Sequence, residues 1–344
     1  MSTQPKAPIS LKELSQLLQL SPATVSRVVN GQATKFRIAK ETQERVLQAA
    51  AHYGYAANNV ARSLREKRTY NIGVIVPEIS EGYSTAVLSG IEDELIKEGY
   101  FYFVVSHRHR PELLESYPRM MLSRLVEGII AVDTQLPQEL SVPLVAVSGH
   151  HHRKSVVNIC LDHREAAEQG MTHLQSLGHK RIAYIKGQAF SSDTNLRWQA
   201  TEEAAKRMGI KIDPRLVVQL ESPDAGPGPG TEAAKRLLAT GIPFTAVIAF
   251  NDMTAIGVIQ AFKQAALRVP EDVSVLGFDD VLAASTNNPP LTTIHQPMRS
   301  MGQAAATTLL QMIHHEATET IPSEITVMPK LVVRDSTAQA KMAD

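Results

Sequence analysis

Histidines, a glycine-rich run and one exposed-looking arginine are the places where this chain could do chemistry. His150-His151-His152 stands with His107, His109 and His163 as a candidate metal centre. Consecutive side chains point in different directions, however, and no spacing such as H-E-x-x-H sets two ligands on one helix face, so a solvated loop is expected. Gly226-Pro-Gly-Pro-Gly230 has the glycine content of a phosphate loop. Its prolines lack the N–H donors that cradle an anion and no Gly-Lys-Ser/Thr follows, which leaves a turn ahead of a helix over 231–238. No nucleophile elbow, triad or paired-carboxylate motif supports catalysis, and neither an enzyme nor a cofactor is expected. Arg27 is different. Its planar fork of donors can make two bonds to guanine O6 and N7, and it lies in a strongly basic segment.

The elements that would carry Arg27 are two short helices. Leu11, Leu14, Leu17 and Leu18 recur at helical spacing behind Ser10, a suitable N-cap. After a break at Gln19-Leu20, Ser21-Pro22 forms a cap and first-turn proline, and Val25, Val28 and Val29 give a second helix over 23–29 its inner face. Two helices joined by so short a turn form a helix-turn-helix, whose second helix enters the major groove. Charge agrees: residues 1–68 hold 11 Lys and Arg against 4 Asp and Glu, whereas the remainder holds 24 against 31. A basic head attracts phosphates, and an acidic body avoids sticking to the same polyanion.

The string Ser21-Pro-Ala-Thr-Val-Ser-Arg-Val-Val-Asn30-Gly31 resembles the recognition helix of the lac repressor (LacI/GalR) family. The likeness continues through Lys40-Glu-Thr-Gln-Glu-Arg-Val-Leu47, Tyr53-Gly-Tyr55 and Asn58-Asn-Val-Ala-Arg-Ser-Leu-Arg65. By resemblance, Pro22, Ala23 and Arg27 face base edges, while Thr24, Ser26 and Asn30 hold phosphates. Asn58 to Arg65 resembles the family's hinge helix, with Leu64 as an apolar wedge for the minor groove and Arg65 beside it for a phosphate or the narrow groove. Two departures stand out. The loop Gln32-Ala-Thr-Lys-Phe-Arg-Ile38 is longer than in the lac repressor and resembles the fructose and sucrose repressor branch, which adds Lys35 and Arg37 as phosphate contacts. Ala39 replaces the usual capping serine or threonine, so the third helix should start weakly.

From Tyr70 onward, short β-branched or aromatic runs alternate with amphipathic helices: strands over 72–76, 100–105, 128–132, 144–147, 181–185, 246–250 and 273–278, with helices over 84–98 and 164–177. This rhythm implies parallel, doubly wound sheets with helices on both faces. The family likeness, carried by Leu177-Gly-His-Lys-Arg-Ile-Ala183, Phe250-Asn-Asp252, Val273-Ser-Val-Leu-Gly-Phe-Asp-Asp280 and Pro290-Leu-Thr-Thr-Ile-His-Gln-Pro297, implies two lobes resembling periplasmic sugar-binding proteins. The expected domains are a helix-turn-helix over 1–57, a hinge over 58–69 and a core over 70–344. Within the core, one lobe takes 70–161 and 291–322, the other 162–290 and 323–336, with crossings near Leu161, Pro290 and Pro322. Ligands of such folds sit at the carboxyl ends of the strands.

The resemblance assigns Arg197, Asn251, Asp279 and Gln296 to a small-molecule effector, and Tyr83 joins them as a ring surface. Carboxylate, amide and guanidinium groups suit a sugar or sugar derivative, because they pair with vicinal hydroxyls. Tyr83, Phe250, Phe278 and Trp198 could stack on a sugar face, although core packing is the expected role of Phe278 and Trp198. Asp280 is expected to brace its loop. Glu78-Ile-Ser-Glu-Gly-Tyr83 departs from the family's Asn-Pro-Phe pattern and Ala200 replaces a usual glycine, so ligand identity does not transfer.

The 344 residues, 43% of them hydrophobic, exceed one compact domain. The single Cys160 excludes an intramolecular disulfide, Met1 to Pro8 lacks a signal peptide's apolar run, and no apolar stretch reaches the roughly 18 residues that span a bilayer. A cytoplasmic protein with no membrane partner is expected. Asp335 to Asp344 carries no leucine heptad, so a homodimer on a pseudo-palindromic operator is expected rather than a tetramer. The reading is thus an effector-controlled DNA-binding regulator, a repressor by resemblance. The competing readings are a sugar-binding transport component, which would need a signal peptide, and an enzyme, which would need a catalytic constellation.

Overall fold

The computed structural model describes residues 9–55, 68–79, 82–151, 153, 155–314 and 321–341. They fall into two compact units, 1–69 and 70–344. Asn58, Leu64 and Arg65, the hinge assignments, lie outside the described residues.

The head consists of α1 (Leu11–Leu18), α2 (Pro22–Val29) and α3 (Lys40–His52). Ser10 and Glu13 form a capping box on α1, and Gln19 closes it in the left-handed region at φ 52°. Ser21 caps α2 by accepting from the Thr24 amide, with Pro22 at the first position. Ala39 offers α3 no side-chain cap, as its chemistry requires. Leu14, Val25 and Val46 are completely buried, with Leu18, Val28, Ala33 and Ala50 completing a small core. Ala33 belongs to the long loop between α2 and α3, so that loop is anchored from within.

The body carries two six-stranded sheets. Its elements run β1 (Asn71–Val76), α4 (Tyr83–Lys97), β2 (Phe101–Ser106), α5 (Pro111–Ser123), β3 (Gly128–Val132), β4 (Leu144–Val147), β5 (Val156–Leu161), α6 (His163–Ser176), β6 (Ile182–Lys186) and α7 (Asp193–Arg207). They continue as β7 (Val217–Gln219), α8 (Gly228–Ala239), β8 (Ala246–Ile248), α9 (Asp252–Gln264), β9 (Ser274–Asp279), α10 (Leu282–Thr286), β10 (Thr292–His295), α11 (Met298–Ile313), β11 (Glu324–Val327) and β12 (Lys330–Val332). The first lobe's sheet has the order β11-β5-β4-β3-β1-β2, and the second's β12-β10-β9-β8-β6-β7. Every pairing is parallel except β10 with β12. The central strands β3, β4 and β5 are buried along their whole length, which is why β3 and β4 read as continuous apolar runs rather than alternating ones, while β5 buries one polar residue, Asn158.

Two lobe boundaries differ from the expectation. Thr292–His295 pairs with β9 in the second sheet and Glu324–Val327 with β5 in the first, so the later crossings fall at 296–297 and 328–329, not near Pro290 and Pro322. Each proline precedes a strand that still completes the sheet of its own lobe, and the chain crosses only after that strand. The glycine-proline run also differs: α8 begins at Gly228, inside it. A Cβ on Gly230 would strike the Thr254 carbonyl, and one on Gly257 the Pro227 carbonyl. The glycines there let α8 and α9 approach backbone to backbone. Among the described residues no helix is long and apolar enough to cross a membrane.

Candidate nucleic-acid interface and ligand cleft

On α2, helical periodicity turns Val25 and Val28 into the core and leaves Pro22, Ala23 and Arg27 exposed on the opposite face. Thr24, Ser26 and Asn30 are half-buried at the margins of that face. Thr24 and Ser21 share a hydroxyl hydrogen bond of 2.8 Å. The Asn30 amide donates to the Ser26 carbonyl at 2.7 Å and lies 3.2 Å from the Ser26 hydroxyl, closing the end of the helix. Arg27 is anchored differently: its guanidinium carbon lies 3.9 Å from the centroid of the Phe36 ring.

In the body, a cleft of about 880 Å³ opens at the carboxyl ends of the strands, lined by both lobes. Tyr83, at the start of α4, belongs to the first lobe; Arg197 on α7, Asn251 capping α9, and Asp279 ending β9 belong to the second. Gln296 does not line the cleft. It is completely buried behind Asp279, to whose Oδ1 its Nε2 donates at 2.6 Å. Asn251 is partly committed too, since its Oδ1 accepts from the Thr254 amide and hydroxyl at 2.9 and 2.7 Å.

Arg197 is the centre of the second lobe's wall. Its Nη1 donates to the Phe250 carbonyl at 2.9 Å, its Nη2 to Asp193 Oδ2 at 3.0 Å, and Nη2 lies 3.8 Å from Asp279. The guanidinium plane sits between the rings of Phe278, 4.0 Å away, and Phe250, 4.7 Å away. Phe278 therefore packs against a catch of charge rather than purely apolar core, whereas Trp198 packs edge-on against Tyr184 inside the lobe. Arg197 Nε and Gln296 Oε1, both buried, have no hydrogen-bond partner among the described residues.

Asp279 and Asp280 both stand at positive φ, 110° and 60°, which side chains rarely tolerate outside a constrained site. What holds Asp280 is Arg334 at 2.6 Å and His295 at 3.1 Å, so its task is to brace the loop. Burial pushes the Asp279 carboxyl up to about 6, against the opposing charge of Arg197.

Across the cleft floor the lobes are tied by groups that sequence reasoning did not single out. Asp193 Oδ1 accepts from His150 Nε2 at 2.6 Å, from the first lobe, and from His163 Nε2 at 3.2 Å, from its own. Burial alone would raise the Asp193 carboxyl, but His163, Arg197 and the His150 hydrogen bond hold it well below the usual carboxylate range. The Ser192 hydroxyl lies between Asp133 Oδ1, at 2.6 Å, and the Ser148 carbonyl. One hydroxyl proton serves only one acceptor, so a proton on Asp133 completes the set; burial and the Asp193 charge push that carboxyl up to about 7. Tyr83 donates to the Ser148 hydroxyl at 2.8 Å. The expectation of a solvated histidine loop is therefore corrected for His150, which is largely buried, and for His107 and His163, which are buried; His152 lies outside the described residues. His150, His163 and Asp193 do set three donor atoms within 4.8 Å of one another. Asp193 already accepts from Arg197 and both rings, while the buried His163 Nδ1 has no hydrogen-bond partner among the described residues. The one available signal in the sequence was Asp193 four residues before Arg197, a helical ion-pair spacing.

The comparisons with known proteins agree with this geometry. The pattern for bacterial regulatory proteins of the lacI family matches residues 10–58, and that for a periplasmic binding protein-like domain matches 171–337. The HTH-type transcriptional repressor PurR of Haemophilus influenzae is 31% identical over 341 residues, spanning 95% of this chain and 98% of its own. The chain belongs to the lacI family. A second relative, the HTH-type transcriptional repressor PurR of Pasteurella multocida, is equally 31% identical, over 338 residues with the same coverage. Among solved structures, the lac repressor dimer bound to operator and the anti-inducer ONPF superposes with a TM-score of 0.82 at 27% identity, covering 96% of this chain and all of that one. The complex of the transcriptional regulator CelR with cellobiose gives 0.72 at 27% identity, covering 95% and 99%. As a lacI-family protein this chain is a DNA-binding transcriptional regulator, not an enzyme.

Proposed function

We propose that the protein is a repressor that binds a pseudo-palindromic operator as a homodimer and is controlled by a small polyhydroxylated effector held between its lobes. The observation that carries this reading is the pairing, in one chain, of an exposed α2 face bearing Arg27 with a cleft whose two walls come from different lobes. Arg27 reads guanine through its in-plane donors, Pro22 and Ala23 read shape or thymine methyls, and Thr24, Ser26 and Asn30 face phosphates. The hinge roles of Asn58, Leu64 and Arg65 rest on the sequence match alone. A cytoplasmic location follows from the DNA partner.

In the cleft, Asp279 accepts from ligand hydroxyls, Arg197 and Asn251 donate to them, Tyr83 and Phe250 offer ring surface, and Gln296 positions Asp279 from behind. The ligand acts through unequal affinity for two arrangements of the lobes, since equal binding to both shifts nothing. Ser192 and Asp193, which tie the lobes together, are where that difference registers. The lac repressor and CelR structures carry ONPF and cellobiose in their own complexes, which supports a sugar-like effector here.

A thermal-shift screen of the full chain against sugars, sugar phosphates, sugar acids and purines tests the effector class, because a ligand selective for the folded state raises the melting temperature. A sugar that raises it, with the rise abolished in Asp279→Ala, supports the reading. A purine hit, or a sugar hit unchanged in Asp279→Ala, overturns the ligand class or the site respectively. DNA release by the hit then gives the sign of control.

A further inference from the structure

Phe36 is an exposed aromatic residue, 43% accessible, in a basic loop whose other apolar residues, Ala33 and Ile38, pack on the head core while Phe36 does not. Its ring lies instead against Arg27, with the guanidinium carbon 3.9 Å from the ring centroid. The loop is built to hold it there. The Gln32 amide donates to the Arg27 carbonyl at 2.8 Å, Ala33 plugs into the core, and the Ile38 amide donates back to the Ala33 carbonyl at 3.0 Å. Arg37 takes φ 53°, the left-handed turn that brings the chain round behind the ring. Lys35 and Arg37 flank Phe36 and are exposed.

A stacked guanidinium has its face occupied and its edges free. Among the described residues the Arg27 side chain makes no hydrogen bond or ion pair, so all its in-plane N–H donors remain available. That is the arrangement a paired contact with guanine O6 and N7 requires. A free arginine would have to give up its rotamer freedom on binding; one already stacked has given up part of it. We propose that Phe36 is a specificity-positioning residue, whose ring fixes the plane of Arg27 so that the long loop, and not α2 alone, sets operator preference. The proposal rests on the reading of Arg27 as a base contact.

The test is a selection from a randomised duplex pool with the full-length wild type, Phe36→Ala, Phe36→Leu, Phe36→Tyr, Arg27→Ala and the Arg27→Ala/Phe36→Ala double variant. Affinities are then measured for the selected duplex and for a random-sequence duplex. Phe36→Ala is expected to weaken the selected duplex by about three- to tenfold and to relax preference at the base position that Arg27→Ala relaxes, with the random duplex unaffected. Phe36→Tyr should restore binding, Phe36→Leu should behave like alanine because it keeps bulk without a π face, and the double variant should lose no more than Arg27→Ala. Preference unchanged in Phe36→Ala while Arg27→Ala relaxes it sinks the positioning role alone. Additive losses would mean that the ring contacts DNA independently, and rescue by leucine that packing suffices; either overturns the proposal. Arg27→Ala with an unchanged preference removes the base-contact reading, and the proposal with it.

Discussion

The two functional regions of this molecule are built on opposite plans. On the head, Pro22, Ala23 and Arg27 are exposed on one face of an eight-residue helix with Thr24 and Ser26 half-buried at its margins, and Arg27 keeps its donors free. In the cleft, Asp193, Asp279 and Gln296 are buried, Arg197 is largely so, and they are bonded chiefly to one another. DNA supplies a dense field of phosphates and base edges, so a protein surface gains by offering unpaired donors in water, where an unpaired donor costs little. A small effector must be enclosed, and an enclosed charge left unpaired is costly, so the cleft satisfies its own groups until a ligand exchanges with them. The head's site can thus be altered residue by residue, whereas the cleft's site is a network in which one deletion strands several partners.

The largest effect expected from that contrast is at Arg197. Arg197→Ala would leave Asp193 and Asp279 buried without their shared cation, a loss of about 3–5 kcal/mol from the body. Its melting transition should drop markedly and the effector response should vanish, while the head keeps its affinity for random-sequence DNA. A body transition unchanged in Arg197→Ala would show that solvent, not the guanidinium, neutralises those carboxylates. In the head the comparable vulnerability is the core, not the contact face. Leu14→Ala removes a completely buried side chain from a seven-residue core, costing about 2–5 kcal/mol. Binding to all DNA should fail together with the head, and effector binding should persist; loss of both would mean that the units do not fold separately.

The same contrast decides what could be read in the sequence. The head was legible in detail because its signals are local: Ser10 ahead of the leucine stripe, Ser21 with Pro22, and valines three and four apart each determine a feature within one helical turn. In the body, strands such as β3 and β4 were legible because burial on both faces makes them uniformly apolar, whereas β5, interrupted by Asn158, and the short β7, β10, β11 and β12 were not. What escaped was assembled from distant segments. Asp193 meets His150 across 43 residues and Ser192 meets Asp133 across 59, contacts with no periodicity to betray them. Gln296 was placed on the cleft by resemblance, yet β10 carries it behind Asp279. The two later crossings, set near Pro290 and Pro322 by resemblance, were misplaced because each proline is followed by one more strand of the lobe the chain is leaving.

A smaller effect should appear in the pH dependence of the body. Burial raises three carboxyls above the ordinary value of 3.8: Asp252 to about 8, Asp133 to about 7 and Asp279 to about 6. A raised carboxyl binds its proton more tightly folded than unfolded, so its stabilisation is full below about pH 4 and is lost as pH climbs through 6 to 8. The opposite group, Asp193, is held low and contributes evenly over that window. Burial lowers His107 to about 4 and also lowers His109, His173 and His179, which opposes that fall up to about pH 6.5, so the melting temperature of the body should fall between pH 6.5 and pH 8.5. Asp252 accepts from Thr293 and from the Val281 amide, contacts an amide side chain can largely reproduce, so Asp252→Asn should flatten the fall. An identical slope in the variant would place the titration elsewhere.

The smallest effect separates the two ends of the head's own helices. Ser21 caps α2 with its side chain, whereas Ala39 stands before α3 at φ −57° and ψ 141°, a backbone already suited to a cap but without an oxygen to make one. Ala39→Ser should add about 0.5–1 kcal/mol to α3, and Ser21→Ala should remove a similar amount from α2. Amide exchange in the full chain resolves both, since the first-turn amides of α3 should slow by roughly threefold to fivefold in the serine variant and those of α2 quicken in the alanine variant. If Ala39→Ser changed nothing, then either α3 frays from its other end or the loop carrying Phe36 already holds its first turn. Combining it with Phe36→Ala would decide between these, because a loop that supplies the missing restraint makes the cap matter only once the ring is gone.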